Sequence, residues 1–292
     1  MFNSIKPIKM KEKEVTFEEV FYEKYPLSFN LVSIFRETNG VNASWNNFTK
    51  PNLKRFVDAM LSRFAKSSVK TYCAMFKSVL NLYSDEVEIP KGYAEILSVK
   101  KDVSENVFLC DEEIKKIISY VPENETEHII KNQFILGLLS GARHSDYITF
   151  TNMNIQDGRL VYVSKKTHIR SEIPLSKTIE RIITENEQMG YVGRIYSDPT
   201  FNKTIRDICR KCGIDEETRL YNGGKYHSGK KYEFVASHTA RRSFATNLYL
   251  RGADLYSISK LMGHSSVTMT EGYISCGLRN LPQSVLDYFN EI

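Results

Sequence analysis

His238-Thr239-Ala240-Arg241, then Gly263-His264, then Tyr273, set an imidazole, a guanidinium, a second imidazole and a phenol in order along the C-terminal part of the chain. Far upstream, Arg143 stands in Ser140-Gly141-Ala142-Arg143-His144-Ser145-Asp146. Two arginines, two histidines and a tyrosine suit a reaction in which a phenolate attacks a phosphodiester. Such attack is in line and spreads negative charge over the nonbridging oxygens, so the protein's main tasks are positioning and charge stabilisation. Arginine suits the second task, because its planar fork gives two parallel hydrogen bonds to phosphate and it does not deprotonate. A lone arginine most often ends in a surface salt bridge. The HxxR spacing instead puts His238 and Arg241 one helical turn apart on one face, which makes Arg143 and Arg241 the candidate phosphate clamps. Arg242 points about 100° around the helix from Arg241, and its assigned role is a backbone or structural contact. A free phenol titrates at about pH 10, so a tyrosine nucleophile needs a base and positive surroundings. His238, with an intrinsic pKa near neutrality, is the candidate general acid/base. Asp146 is read as a carboxylate that orients Arg143 or a neighbouring backbone group. His128, His144, His168 and His227 carry no motif context.

The 292 residues suffice for two domains with a core in each. A composition 41% hydrophobic and 26% charged is that of a folded globular protein. The net charge of +5 is compatible with a polyanionic partner but is shared by many enzymes. No apolar run approaches the roughly eighteen residues that span a bilayer. Met1 to Val15 is lysine-rich without an apolar signal core, so a cytoplasmic protein with no membrane partner is expected. Five cysteines at irregular spacing do not form a disulfide framework. Cys209-Arg210-Lys211-Cys212 lacks the two further ligands of a zinc site and lies late in a helical pattern closing at Gly213, which reads as ordinary helix. Neither a two-metal carboxylate cluster nor a glycine-rich phosphate loop is visible, so no metal and no cofactor are expected.

The pattern is mainly α with a small antiparallel β-sheet, in two domains. Residues 1–15 form an N-terminal extension, 16–100 a helical domain with its linker, and 101–292 a second domain ending in a tail helix. In the first domain Phe17, Val20, Phe21 and Tyr25 recur at helical spacing, as do Leu31, Ile34 and Phe35. Thr49 caps a helix with Pro51 in its first turn and an apolar face of Leu53, Phe56, Val57, Met60 and Leu61. Ser67-Ser68 opens another, carrying Val69, Tyr72, Cys73, Phe76, Val79, Leu80 and Tyr83. Between residues 50 and 80 the bases Lys50, Lys54, Arg55, Arg63, Lys66, Lys70 and Lys77 meet only Asp58 among acids. A solvated helix surface is the common fate of such a face. Beside the C-terminal motif it reads instead as a face for phosphate neutralisation. Ser67, Ser68, Lys70, Thr71 and Tyr72 form a helix start suited to a phosphate. In the second domain Asp111 caps a helix through Tyr120, and another helix runs from Glu127 to Ser140. Arg159–Val163 and Ile173-Pro174-Leu175 flank a hairpin containing Lys165-Lys166-Thr167. Residues 176–188 and 201–212 are helical, and Tyr221-Asn222-Gly223-Gly224-Lys225 marks a hairpin turn. From Ser237 onward the chain is helical again.

At its motif residues the chain closely resembles the tyrosine recombinases, the phage-integrase family of DNA-rearranging enzymes. The resemblance is specific from Gly141 to Ile274 and weaker but ordered from Thr16 to Asp85. It implies a helical, SAM-like core-binding domain followed by the tyrosine-recombinase catalytic domain. In the family the nucleophile follows the Gly-His pair at the interval separating His264 from Tyr273, which singles out Tyr273 among 17 tyrosines. Gly272 just before it offers the chain freedom to swing the phenol. His264 is assigned a hydrogen bond to a nonbridging oxygen, with a structural role left open. A lysine on a hairpin turn protonates the leaving oxygen in the family; Lys166-Thr167 before Ile173-Pro174-Leu175 matches, with Lys165 as competitor. The implied catalytic set is Arg143, Lys166, His238, Arg241, His264 and Tyr273. The DNA-facing set is Lys50, Lys54, Ser67, Ser68, Lys70, Thr71 and Tyr72. Implied function is site-specific recombination of double-stranded DNA through a 3′-phosphotyrosine intermediate, by a homotetramer on two DNA sites. In the family, a tail such as the helix of Leu281–Phe289 docks on a neighbouring protomer. The alternatives are a type IB-like topoisomerase, which shares the chemistry, and a DNA-binding regulator without catalysis.

Overall fold

The computed structural model describes residues 15–275 apart from 101 and 103, so the tail helix and most of the N-terminal extension fall outside the described residues. The chain divides into two compact units. One runs to Ser104 and takes in Asn222–Lys225; the other comprises Glu105–Tyr221 and the chain from Tyr226 onward. Among the described residues no helix is long and apolar enough to cross a membrane.

The first unit is helical: α1 (Phe17–Lys24), α2 (Phe29–Asn39), α3 (Lys50–Arg63), α4 (Lys66–Leu82) and the single turn α5 (Tyr93–Ile96). Thr16 begins α1 with a reciprocal cap, its hydroxyl accepting from Glu19 N while the Glu19 carboxylate accepts from Thr16 N. Thr49 caps α3 by accepting from Asn52 N, with Pro51 in the first turn where its missing N–H costs nothing. The apolar stripes of these helices close on one aromatic core. Phe17 lies against Phe48 with centroids 4.5 Å apart, and Phe56 against Phe76 at 4.6 Å. Leu61 does not join that core; it stands 38% exposed, one position off the buried stripe of α3. The start of α4 also differs from the sequence reading. Ala65 is its N-cap and no side chain caps the helix, so Ser67 and Ser68 sit inside the first turn.

The second unit packs helices around α7 (Glu125–Ser140), which is buried nearly all round. Before it comes α6 (Asp111–Ser119), whose N-cap is Cys110 rather than Asp111; Cys110 N donates to the Glu113 carboxylate. After α7 come the single turn α8 (His144–Tyr147), β1 (Ile155–Gln156), β2 (Arg159–Val163) and β3 (Arg170–Pro174). These strands form an antiparallel sheet in the order β1-β2-β3, with Leu160 opposite Ile173 and Val163 opposite Arg170. Two helices follow, α9 (Lys177–Gln188) and α10 (Asp198–Lys211), then the hairpin β4 (Glu217–Asn222) and β5 (Lys225–Lys230). The chain continues through α11 (Ser237–Leu250), α12 (Leu255–Leu261) and α13 (Val267–Glu271). The protein is thus mainly α with small antiparallel sheets. Cys209 is buried on the last turn of α10 and Cys212 is its C-cap; burial pushes both thiols up, away from reactivity.

What positions the site is the contact of α7 with α11. Gly137 on α7 lies so close to Tyr147 and Ala240 that a Cβ there would stand 2.6 Å from the Tyr147 ring. Gly141 ends α7 in the left-handed region (φ +63°), and a Cβ on it would overlap the Phe244 ring of α11. This glycine turns the chain from the core helix straight into Arg143.

Candidate active site

Arg143 is the N-cap of α8, half-buried, and its Nη1 donates to Ser164 Oγ at 3.0 Å. Ser164 Oγ in turn donates to Asp146 Oδ2 at 3.1 Å, and Lys165 N donates to Asp146 Oδ1 at 3.0 Å. One buried carboxylate therefore fixes the start of the β2–β3 turn, and through Ser164 the direction of the Arg143 fork. The turn closes with Ser164 N donating to Ile169 O and His168 N donating to Ser164 O, His168 taking φ +54°. Lys165, Lys166 and His168 are exposed on it. Lys166 is one of the cations whose charge acts on His238, whereas the backbone of Lys165 is held on Asp146.

Helix α11 supplies His238 and Arg241. Arg241 is 1% exposed, a fully buried cation. Its Nη1 donates to Gly141 O, and its Nη2 to Met262 O at 2.7 Å and to His264 Nε2 at 2.6 Å. Guanidinium only donates, so His264 Nε2 must accept. The proton of that imidazole is then on Nδ1, which lies 2.9 Å from Thr270 Oγ1. Burial, reinforced by Arg241 and Arg143, holds His264 down to about 4, so it is neutral at physiological pH. Both ring nitrogens are thus engaged, one supporting Arg241 and one held by Thr270. The donor to a nonbridging oxygen expected from sequence is not available in this arrangement. Gly263 (φ +62°) makes the turn into His264, and its missing side chain admits Ser171 of β3, whose Oγ would lie 2.7 Å from a Cβ.

Tyr273 follows α13, its N donating to Thr270 O at 2.8 Å. Its ring lies between the two histidines, 5.0 Å from the His264 centroid and 5.6 Å from that of His238. The Arg241 guanidinium carbon stands over the same ring at 5.3 Å. The phenol oxygen is 3.3 Å from His238 Nε2. Packing around the His238 ring, with the charges of Arg242, Arg241, Arg143 and Lys166, holds its imidazole below the ordinary histidine value. Gly272 takes a right-handed helical conformation (φ −65°) that any residue adopts, so the observed backbone does not itself require glycine.

The structure thus gathers Arg143, Lys166, His238, Arg241, His264 and Tyr273 around one locus in the second unit. Thr270 and Ser164, which orient His264 and Arg143, were not singled out by sequence; their roles follow from contacts made across the fold. Among the described residues no group of three or more His, Cys, Asp or Glu side chains is placed to hold a metal. The expected DNA-facing residues lie in the first unit and form no part of this cluster. Lys50 and Lys54 are exposed one turn apart on α3, and Ser67, Lys70 and Thr71 are exposed on the first turns of α4, where Thr71 Oγ1 donates back to Ser67 O at 3.2 Å. Ser68 is half-buried, and Tyr72 packs edge-on against Phe64 at 5.4 Å. Two neighbouring bases are neutralised by acids outside their own segment: Arg63 pairs with Glu37 at 3.1 Å and Lys66 with Asp102 at 2.9 Å.

A helical fold whose short sheet carries a lysine turn, with two arginines and two histidines around a tyrosine, is the architecture of a tyrosine recombinase. The model described as "Phage integrase family" matches residues 107–276, more than half of the chain, and the chain belongs to that family. Among curated relatives, tyrosine recombinase XerC of Rickettsia bellii (strain RML369-C) is 25% identical over 255 residues, covering 82% of this chain and 75% of that one. Among solved structures, a lambda integrase(75-356) dimer bound to a COC' core site aligns with TM-score 0.65 and 17% identity, over 90% of this chain and 97% of that chain. A lambda integrase tetramer bound to a Holliday junction aligns with TM-score 0.61 and 16% identity, over 89% and 77%. At such identities the structural likeness speaks for the fold.

Proposed function

We propose that this tyrosine recombinase cleaves and rejoins double-stranded DNA with Tyr273 as nucleophile, through a 3′-phosphotyrosine. The observation that carries the reading is the Tyr273 hydroxyl within reach of His238 Nε2, beside the buried guanidinium of Arg241. In the proposed step Tyr273 Oη bonds to phosphorus and its proton passes to His238 Nε2. The bond from phosphorus to the 5′ oxygen breaks, and Lys166 Nζ gives that oxygen its proton. Arg143 and Arg241 hold the nonbridging oxygens while charge accumulates there. The neutral His264 keeps Arg241 in place by accepting from it. Rejoining is the reverse attack by a 5′ hydroxyl on the phosphotyrosine, so the phosphoester bond is conserved and no nucleotide cofactor is consumed.

Lys50, Lys54, Ser67, Ser68, Lys70, Thr71 and Tyr72 are proposed to meet the DNA backbone from the first unit, which serves as the core-binding domain. The exposure of the lysines on two helices supports this. A homotetramer on two DNA sites, acting in the cytoplasm, is the proposed working form; the tetrameric lambda integrase of similar fold supports it.

The test is covalent trapping on a nicked duplex drawn from the sequence flanking the gene, in EDTA, with Tyr273→Phe alongside. Wild type is expected to form a protein–DNA adduct that the variant lacks. Specific binding without an adduct would point instead to a DNA-binding regulator.

A further inference from the structure

His238, Arg242 and Thr246 stand at i, i+4 and i+8 on α11, on one stripe of the helix. Measured from Arg241, Arg242 points away; measured from His238 it is the next residue along the same face. The two outer members of the stripe both hold the nucleophile's segment. His238 Nε2 is 3.3 Å from the Tyr273 hydroxyl, Thr246 Oγ1 donates to Tyr273 O at 3.4 Å, and Ser275 N donates to Thr246 Oγ1 at 3.0 Å. Tyr273, with its backbone at Thr246 and its hydroxyl at His238, therefore spans the position of Arg242. Arg242 is half-buried, and its Nε is fully buried with no hydrogen-bond partner among the described residues.

We infer that Arg242 is a positioning residue for the reaction: it underlies the Tyr273 segment and turns its positive charge on the phenol and on His238. The inference rests on the proposed role of Tyr273 as nucleophile. The electrostatics agree with the geometry. Partial burial holds the guanidinium below its ordinary value while Tyr273 acts in the opposite sense, and Arg242 is the foremost of the charges acting on His238. The groups facing His238 are Arg241 and Arg242 of its own helix, Arg143 before α8, Lys166 of the β2–β3 turn and Tyr273 after α13. Those facing Tyr273 are His238, Arg241, Arg242 and His264. In this setting the charge of Arg242 acts twice in the same direction: it keeps His238 neutral, and so able to accept the phenol proton, and it favours the phenolate that results. Its loss moves the acid limb of the cleavage profile to higher pH.

The test compares full-length wild type, Arg242→Gln and Arg242→Lys. Histidine ring signals are titrated by NMR without DNA, and adduct formation on the nicked duplex is followed against pH. Arg242→Gln is expected to raise the His238 midpoint by about half a pH unit, with Arg242→Lys close to wild type. Cleavage by Arg242→Gln should fall about threefold on the acid limb and recover toward high pH, with the lysine variant again intermediate or normal. An unchanged His238 midpoint in Arg242→Gln overturns the inference. So does a pH-independent loss shared by both variants and accompanied by a lower melting temperature, which would mark a packing role. A raised His238 midpoint in Arg242→Gln beside a wild type that forms no adduct would count against Tyr273 chemistry while leaving Arg242 facing His238.

Discussion

Arg241 decides which nitrogen of His264 carries the proton, and Thr270 accommodates the choice. Because Arg241 can only donate, the tautomer that accepts at Nε2 is stabilised when Thr270 receives the Nδ1 proton. Thr270→Val should leave a buried N–H without an acceptor, costing about 1–3 kcal/mol. Adduct formation should fall while Thr270→Ser stays near wild type; equal activity of the valine and serine variants would refute this chain of support. The same imidazole gives stability a pH dependence. His264 titrates at about 4 in the fold against about 6.5 in an unfolded chain, so between those values the unfolded state binds more protons. Stability contributed by neutral His264 is present above the unfolded value and is lost as pH falls toward 4, by on the order of 3 kcal/mol at most. Urea unfolding of wild type and His264→Asn across that window should show a shallower pH slope in the variant. At this scale the sequence was most informative about residue types. Arg143, His238, Arg241 and Tyr273 each have chemistry that few side chains duplicate, and their spacing brought them forward. The direction of a hydrogen bond at His264 was not legible, since it depends on Arg241 meeting one ring nitrogen and Thr270 the other. Nor was the stripe of Arg242, because angle on a helix has meaning only relative to a chosen neighbour.

Among the elements, the turns into the arginine and the histidine are the most exacting. Gly141 and Gly263 both take left-handed backbone, and each faces an atom that a Cβ would strike. Gly141→Ala and Gly263→Ala should each cost about 2–4 kcal/mol in denaturant unfolding, through backbone strain and overpacking together. A cost below about 1 kcal/mol at Gly141 would mean that the α7–α11 contact relaxes easily. Helices with regular apolar stripes, such as α3 and α4, are legible in the sequence because burial follows a 3.6-residue period. Their ends are less so: α4 begins at Lys66 and α6 is capped by Cys110, a choice made by backbone geometry rather than by the polar residue nearest the boundary. The exposed face of Lys50, Lys54 and Lys70 belongs to this scale too. Replacing all three by alanine should lower the slope of log K against log salt by about 0.9 for each phosphate no longer neutralised. A weaker affinity with an unchanged slope would assign these lysines to something other than phosphate.

At the scale of the whole molecule, among the described residues each unit has a main hydrophobic core, an aromatic one around Phe17, Phe35, Phe56 and Phe76 in the first and a mostly aliphatic one around α7 in the second, where Ala245, Ile258 and Met262 form a smaller cluster. Each closes within its own unit, so calorimetric unfolding should resolve two transitions, with a calorimetric enthalpy exceeding the van't Hoff value. A single two-state transition would mean that the units unfold as one. Aromatic density before residue 85 and aliphatic density after residue 107 foreshadow this division, whereas the inclusion of Asn222–Lys225 with the first unit leaves no mark in local sequence.

The guanidinium of Arg241 lies over the ring of Tyr273, so in the proposed reaction one aromatic face would serve both the group that attacks and the cation that steadies the charge it creates.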